Sequence, residues 1–107
     1  MDCYVNIVGG LRADEPACDL AVALSVVSSL KDAVINSETI VFGEIGLAGE
    51  IRTVNSCEQR IRECERLGFK RCIIPRQNIK NLPKDEFKNI EIIGVRNIRE
   101  AFEAAVD

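Results

Sequence analysis

The fold of this chain is decided by one stretch, Gly43-Glu-Ile-Gly-Leu-Ala-Gly-Glu-Ile-Arg-Thr-Val-Asn-Ser-Cys-Glu-Gln-Arg60. Residues 39–45, which run into it, carry β-branched and aromatic side chains and predict a strand. The glycines at positions 46 and 49 indicate a turn after that strand. Residues 50–54 are therefore expected to pair back on it as a hairpin.

A helix over residues 57–67 is predicted directly after the hairpin. Ser56 and Gln59 have the spacing of a capping box, in which two side chains bind free backbone N–H groups at a helix start. Gly68 can adopt the left-handed conformation that ends many helices. The stretch thus predicts a strand, a turn, a second strand and a helix in succession.

Strands and helices alternate on both sides of this stretch. Upstream, residues 3–8 predict a strand, and Pro16 is suited to the first turn of a helix that ends near residue 30. Downstream, the predicted elements are a strand at 71–75, a loop with one helical turn at 76–89, a strand at 91–95 and a helix capped by Asn97 with Glu100. This alternation, without repeats or a linker, predicts a single α/β domain over residues 1–107.

The composition is typical of a globular domain. The 107 residues are 47% hydrophobic and 29% charged, and no apolar run is long enough to span a membrane. The first residues lack the basic and hydrophobic segments of a secretory signal. Because 14 basic residues are outnumbered by 17 acidic ones, any contact with nucleic acid needs a local basic patch.

The cysteines are expected to be structural. They number five, with no histidine in the chain, at positions Cys3, Cys18, Cys57, Cys64 and Cys72. None has the Cys-x-x-Cys spacing of a zinc site, so no metal site is expected. Free thiols that pack as small apolar side chains indicate the reducing cytoplasm.

Five basic residues are candidates for a DNA-contacting stripe beside the predicted second helix. They are Arg52, Arg62, Arg66, Lys70 and Arg71. Such a stripe could follow the phosphates of a duplex. Glu58, Glu63 and Glu65 are interleaved with it, so a charged surface exposed only to solvent is the alternative.

Arg60 falls within the arc of the predicted helix that should be buried. A buried guanidinium needs an acidic partner. Glu44 in the neighbouring strand is the candidate, and a charge-assisted pair between Glu44 and Arg60 is predicted.

Two stretches resemble the proteolytic domain of the Lon family, namely Val5-Asn-Ile-Val-Gly-Gly-Leu-Arg-Ala-Asp-Glu-Pro-Ala-Cys-Asp-Leu-Ala21 and the stretch quoted first. In that family a proline precedes the nucleophilic serine, and Gly-Glu-Ile precedes the catalytic lysine. Laid along this chain without a gap, the match puts Ala17 on the serine and Glu58 on the lysine. The resemblance implies a degenerate dyad, since alanine has no hydroxyl and glutamate is an anion. Cys18 is a poor substitute, because one residue along a helix turns its side chain by about 100°.

Most of the chain resembles, more closely, the C-terminal Lon-like domain of the RadA (Sms) family of bacterial DNA repair proteins. The matching segments include Gly9-Gly-Leu-Arg12, Asp14-Glu-Pro-Ala17, Gly49-Glu-Ile-Arg52 and Leu67-Gly-Phe-Lys70. The resemblance implies the fold of ribosomal protein S5 domain 2, a two-layer α/β sandwich with a mixed sheet.

This resemblance also implies that the chain is a piece of a larger protein. The upstream zinc finger and RecA-like ATPase domains of the family are absent, so ATP, Mg and Zn are expected there and no cofactor is expected in this chain. The implied role is that of a non-catalytic module in recombinational repair, a scaffold for a hexamer that also contacts DNA. An active Lon-type serine peptidase and a protein–protein interaction module without DNA contact are the alternatives.

Overall fold

The computed structural model describes residues 19–106. Its helices and strands are α1 (Asp19–Lys31), β1 (Thr39–Val41), β2 (Glu44–Ile45), β3 (Ile51–Arg52), α2 (Cys57–Arg66), β4 (Arg71–Pro75), β5 (Glu91–Val95) and α3 (Ile98–Ala105). Two 3₁₀ helices, Arg76–Asn81 and Lys84–Glu86, occupy the predicted loop between β4 and β5. The strand predicted at residues 3–8 and the helix start at Pro16 lie outside the described residues.

The main sheet has the strand order β1-β4-β5, and its strands run parallel. The predicted hairpin is confirmed, since β2 and β3 pair antiparallel as a separate two-stranded sheet. The α/β class is therefore confirmed. In the described part of the chain, parallel and antiparallel pairs belong to different sheets and not to one mixed sheet.

The single strand predicted at residues 39–45 is in fact two strands. Phe42 still donates its N–H to the Ile73 carbonyl of β4, at 2.9 Å. At Gly43 the strand contacts the start of α1, because Leu20 donates its N–H to the Gly43 carbonyl at 3.0 Å. A Cβ at Gly43 would lie 2.9 Å from a methyl carbon of Leu20. This contact turns the chain out of the main sheet and into the hairpin.

Helices cover both faces of the main sheet. Arg71 and Ile73 alternate with Cys72 along β4, and Arg71 donates to the Ala104 carbonyl of α3. Cys72, on the other face, lies near Cys57 and Cys64 of α2. The Cys72 face therefore carries α2 and the 3₁₀ helix Arg76–Asn81, whose Ile79 lies over Gly94 of β5. On the other face α3 packs beside α1.

The core lies between the sheet and these helices. Its largest fully buried side chains include Phe42, Leu20, Leu24, Ile61 and Ile73. Burying each such side chain contributes roughly 1.5–3 kcal/mol. The predicted inward face of α3 is confirmed, since Ala101 and Ala105 are fully buried with Ile98 and Phe102 packed beside them.

The two ends of α2 differ in how well they were predicted. The Gly68 stop is confirmed, with φ at 97° and Phe69 donating its N–H to the Cys64 carbonyl at 3.1 Å. The capping box is wrong. Ser56 itself has left-handed backbone angles (φ 54°, ψ 34°) and makes no side-chain bond to the helix, because capping needs extended angles at this position.

Candidate functional site

Glu58, which the sequence resemblance sets on the lysine of a Lon-type dyad, is held in an ion pair on the first turn of α2. Its Oε2 accepts from Nη2 of Arg62 at 2.7 Å and from Nε at 3.1 Å. Arg62 Nη2 also donates to Glu86 at 2.5 Å. The hydrogen bonds to Glu86 and then to Glu58 raise the pKa of Arg62. Glu58 therefore acts as a surface ion-pair acceptor. Ala17, which the resemblance sets on the serine of that dyad, and its neighbour Cys18 lie outside the described residues.

The start of α1 is bonded to the hairpin through Asp19. Its Oδ2 accepts the backbone N–H of Ile45 at 3.1 Å. The two residues lie 26 positions apart, so no local sequence pattern indicates this bond. It fixes the start of α1 against the strand of the Gly-Glu-Ile motif.

Four of the five candidate DNA-contacting residues hold protein partners, and three of these lie on α2 and β4. Arg62 pairs with Glu58 and Glu86, and its guanidinium lies 5.0 Å from the centre of the Phe87 ring. Arg66 pairs with Glu63 on α2. Arg71 turns towards α3, where its Nη1 donates to the Ala104 carbonyl at 2.9 Å, and its Nε lies 3.6 Å from Glu91.

The other two candidates lie apart from α2. Arg52 is on β3, with its side chain 54% exposed, and its Nε donates to Glu50 Oε2 at 3.1 Å. Lys70 is exposed directly before β4. The five residues thus occupy the hairpin, α2 and the start of β4, and their contact with DNA stays a prediction.

Arg60 is half-buried and contacts Asn55. Its Nε donates to the Asn55 carbonyl and its Nη2 to Asn55 Oδ1, both at 2.9 Å. Glu44 lies on β2 opposite Arg52 in the hairpin register. The Glu44–Arg60 pair stays a prediction.

Sequence reasoning missed a groove at the carboxyl edge of the main sheet, next to the hairpin. Its volume is about 430 Å³, and it is lined by Glu50, Ile51, Arg52, Thr53, Arg76, Gln77, Val95 and Arg96. Arg76 and Arg96 directly follow β4 and β5. The carboxyl ends of parallel strands meet at one edge, so this placement was a usable signal.

A second cavity of about 500 Å³ adjoins the groove and shares Arg76, Val95 and Arg96 with it. Glu100 and Glu103 of α3 line its far side. Hydrogen bonds from the Arg96 backbone N–H and then the Arg96 side chain lower the pKa of Glu100, and the charge of Arg76 acts in the same direction. Glu100 is therefore ionised and holds Arg96, with Nη2 at 3.1 Å from Oε2.

The described cysteines are buried, free thiols. Burial raises the pKa of Cys57 to about 11 and that of Cys64 to about 12. Burial also raises the pKa of Cys72. A thiol that stays protonated at neutral pH is neither a nucleophile nor a metal ligand.

Within residues 19–106, no three or more His, Cys, Asp or Glu side chains are arranged to hold a metal ion. None of the helices in this part of the chain combines the length and the hydropathy of a membrane-spanning helix.

Comparison with known proteins gives a consistent set of relatives. A family model described as subunit ChlI of Mg-chelatase matches residues 2–78. The DNA repair protein RadA of Bacillus subtilis is 45% identical over 105 residues, which is 98% of this chain and 22% of that protein. RadA of Listeria monocytogenes is 47% identical over 98% of this chain and 22% of that protein, and RadA of Escherichia coli is 44% identical over 94% and 21%. The chain thus spans about a fifth of the length of these relatives. It belongs to the family described as subunit ChlI of Mg-chelatase, and nearly all of it is homologous to a segment of RadA DNA repair proteins.

Proposed function

We propose that this chain is a non-catalytic, Lon-like module of a DNA repair protein, which acts as an oligomerisation scaffold and contacts DNA. The observation that carries the non-catalytic part is the ion pair of Glu58 with Arg62. A Lon-type dyad needs an amine at this position to take a proton from a serine hydroxyl. Here an anion is bound to a guanidinium, and the residue that matches the serine is Ala17.

Further activities are assigned to the rest of the protein. The chain covers about a fifth of its RadA relatives, so we place the ATPase and zinc-finger domains, with ATP, Mg and Zn, outside it. In the cytoplasm the intact protein would form a hexamer, in which weak contacts of each module with DNA add together.

Hydrolysis of a fluorogenic peptide tests the non-catalytic part. We expect the purified chain to release fluorophore no faster than the buffer does, and Cys18→Ser to behave in the same way. Turnover that disappears in Cys18→Ser would instead support a peptidase with a thiol nucleophile. Turnover that survives in Cys18→Ser would point to another nucleophile, and either result would end the proposal of a pseudo-protease.

Titration of a fluorescein-labelled DNA duplex tests the DNA contact. We expect affinity to fall steeply between about 50 and about 200 mM NaCl, since phosphate contacts release counterions. Arg52→Glu and Lys70→Glu should each weaken binding further. Undetectable binding at the lower salt concentration would favour a pure protein–protein module. Sedimentation velocity over a range of concentrations tests the scaffold role.

A further inference from the structure

The groove beside the hairpin concentrates positive charge at one edge of the sheet. Arg52 projects from β3, whereas Arg76 and Arg96 follow the carboxyl ends of β4 and β5. Among the described residues that line this groove, only Glu50 is acidic. Three guanidinium groups against one carboxylate give the groove a net positive potential, and its walls reduce the screening of that charge by water.

The arginines of the groove keep free hydrogen-bond donors. A guanidinium has five N–H donors, and the hydrogen bond of Arg52 to Glu50 uses only its Nε. Arg96 donates to Glu100 through Nη2. Arg76 is exposed, and its charge acts on the Glu100 carboxylate, but it makes no side-chain hydrogen bond or ion pair to other residues in the range 19–106. Its guanidinium is thus available to a ligand, which distinguishes it from Arg62 and Arg66.

The position of Arg52 is fixed by the loop of the hairpin. Glu50 accepts the N–H of Ala48 with Oε1 at 3.1 Å and Nε of Arg52 with Oε2 at 3.1 Å. A Cβ at Gly46 would overlap this carboxylate and would lie 2.7 Å from Nε of Arg52. The glycine therefore lets the loop close over the Glu50 carboxylate, which then orients Arg52 towards the groove.

We propose that this groove binds one phosphate group of a polynucleotide backbone. Guanidinium groups match the oxygens of a phosphate with paired, charge-assisted hydrogen bonds. Thr53 and Gln77 add a hydroxyl and an amide to the lining. None of the groove's lining residues within 19–106 is aromatic, so they offer no stacking surface for a base and hold the backbone without regard to sequence.

The acidic neighbours limit where the phosphate can lie. Glu100 and Glu103 line the adjoining cavity and would repel a second anion there. The phosphate is thus directed to the hairpin side, between Arg52 and Arg76. This proposal rests on the DNA contact of the proposed function, and it places that contact at the groove beside the hairpin and not along α2.

Two charge-matched variants test the proposal. Arg76→Gln removes the unpartnered guanidinium of the groove. Arg99→Gln removes an arginine of α3 that is 86% exposed, lies 3.6 Å from Glu103 and does not line the groove. We expect Arg76→Gln to weaken binding of a fluorescein-labelled duplex about 5- to 20-fold, the loss of a charge-assisted hydrogen bond. The slope of log affinity against log salt concentration should become smaller by about one, the share of a single phosphate contact. By contrast, Arg99→Gln should change the affinity less than about twofold.

Titration of the arginine Nε–H signals by NMR separates the sources of the phosphate. We expect the Arg52, Arg76 and Arg96 signals to shift in a saturable way with the duplex at lower concentration than with inorganic phosphate or a mononucleotide. A mononucleotide that saturates these signals first would replace the polynucleotide by a free nucleotide and overturn the proposal. Equal thermal unfolding of both variants and the unmodified chain verifies that they fold.

The outcomes distinguish this site from the proposed function. Equal losses of duplex affinity in Arg76→Gln and Arg99→Gln, or none in either, would remove the groove site and leave DNA contact standing. An unmodified chain that does not bind the duplex at low salt would remove the DNA contact. In that case, Arg76 signals that shift with inorganic phosphate would show that the groove binds a small anion, which overturns the polynucleotide proposal. Signals that do not shift would show that the groove binds no phosphate at all.

Discussion

The side-chain amide of Asn78 pairs with the backbone of Val54 as a neighbouring strand would. Its Oδ1 accepts the Val54 N–H at 3.0 Å, and its Nδ2 donates to the Val54 carbonyl at 3.1 Å. Val54 is buried, so its backbone groups have no ready replacement by water. We expect Asn78→Ala to lower the free energy of unfolding by about 2–3 kcal/mol, from two lost hydrogen bonds. Urea unfolding followed by circular dichroism measures it.

A neighbouring asparagine is the control for this prediction. Asn81 is exposed at the end of the same 3₁₀ helix, and Asn81→Ala should change the free energy of unfolding by less than about 0.5 kcal/mol. Equal effects of Asn78→Ala and Asn81→Ala would show that the Val54 contacts do not stabilise the fold. Sequence reasoning could not find this bond, because 24 residues separate its partners.

The buried thiols predict a loss of stability at high pH. Cys57 and Cys64 have pKa values of about 11 and about 12 in the fold, because burial disfavours their thiolates. In the unfolded chain they ionise near the ordinary value of 9.0. Below about pH 9 both states keep the proton and the full stability is present. As the pH rises towards the folded pKa values, the unfolded chain loses protons first and stability falls.

Thiol reactivity gives the simplest measurement of this burial. In a Cys3→Ser/Cys18→Ser background, we expect Ellman's reagent at about pH 8 to react at least about 100-fold more slowly with the native chain than with the urea-unfolded chain. The unfolded sample is the internal control, since it contains the same three thiols. Equal rates would contradict the burial of the thiols. In the same background, urea unfolding should become easier from about pH 9 upwards.

At the scale of elements, the starts of α2 and α3 give opposite predictions. Asn97 has extended backbone angles, and its Oδ1 accepts the Glu100 N–H at 2.9 Å. Asn97→Ala should therefore cost about 1 kcal/mol of unfolding free energy. Ser56 has a positive φ and no capping bond, so Ser56→Gly should stabilise the chain by about 0.5–1 kcal/mol. Urea unfolding compares both with Asn97→Asp, which keeps a capping oxygen.

These helix starts also show what local sequence can predict. The pattern of a capping residue followed by Glu or Gln is present at both helices, but it does not determine φ at the first position. The path of the chain from the hairpin decides φ at Ser56. The same reasoning applies to the strand predicted at 39–45, because its end at Gly43 depends on contact with Leu20 of α1. A destabilising Ser56→Gly would show that the positive φ of Ser56 is not a source of strain.

At the scale of the whole molecule, the types of the elements were predictable from the sequence, but the surfaces that several elements form together were not. The strands β4 and β5, the hairpin and the end of α2 at Gly68 follow from periodicity, glycine and proline. The groove joins Arg52, Arg76 and Arg96 from three elements. Its position depends on parallel pairing of β4 with β5 and on the hairpin leaving the sheet. The prediction of a basic stripe weighed only the acidic residues interleaved along α2. It left out Glu86, which pairs with Arg62 from a distant segment.

The charges of the whole molecule lead to a final prediction about salt. The ion pairs in residues 19–106, such as Arg66–Glu63 and Arg99–Glu103, have exposed side chains, and exposed pairs contribute little to stability. The core instead consists of apolar side chains around β4. Raising NaCl from about 0.05 to about 0.5 M should therefore shift the midpoint of urea unfolding by less than about 0.5 M. Duplex affinity, measured with the same samples, should fall at least about tenfold, because it depends on phosphate contacts. A large drop in the urea midpoint would mean that the surface ion pairs hold the fold together, and Arg62→Gln should then reproduce that drop at low salt.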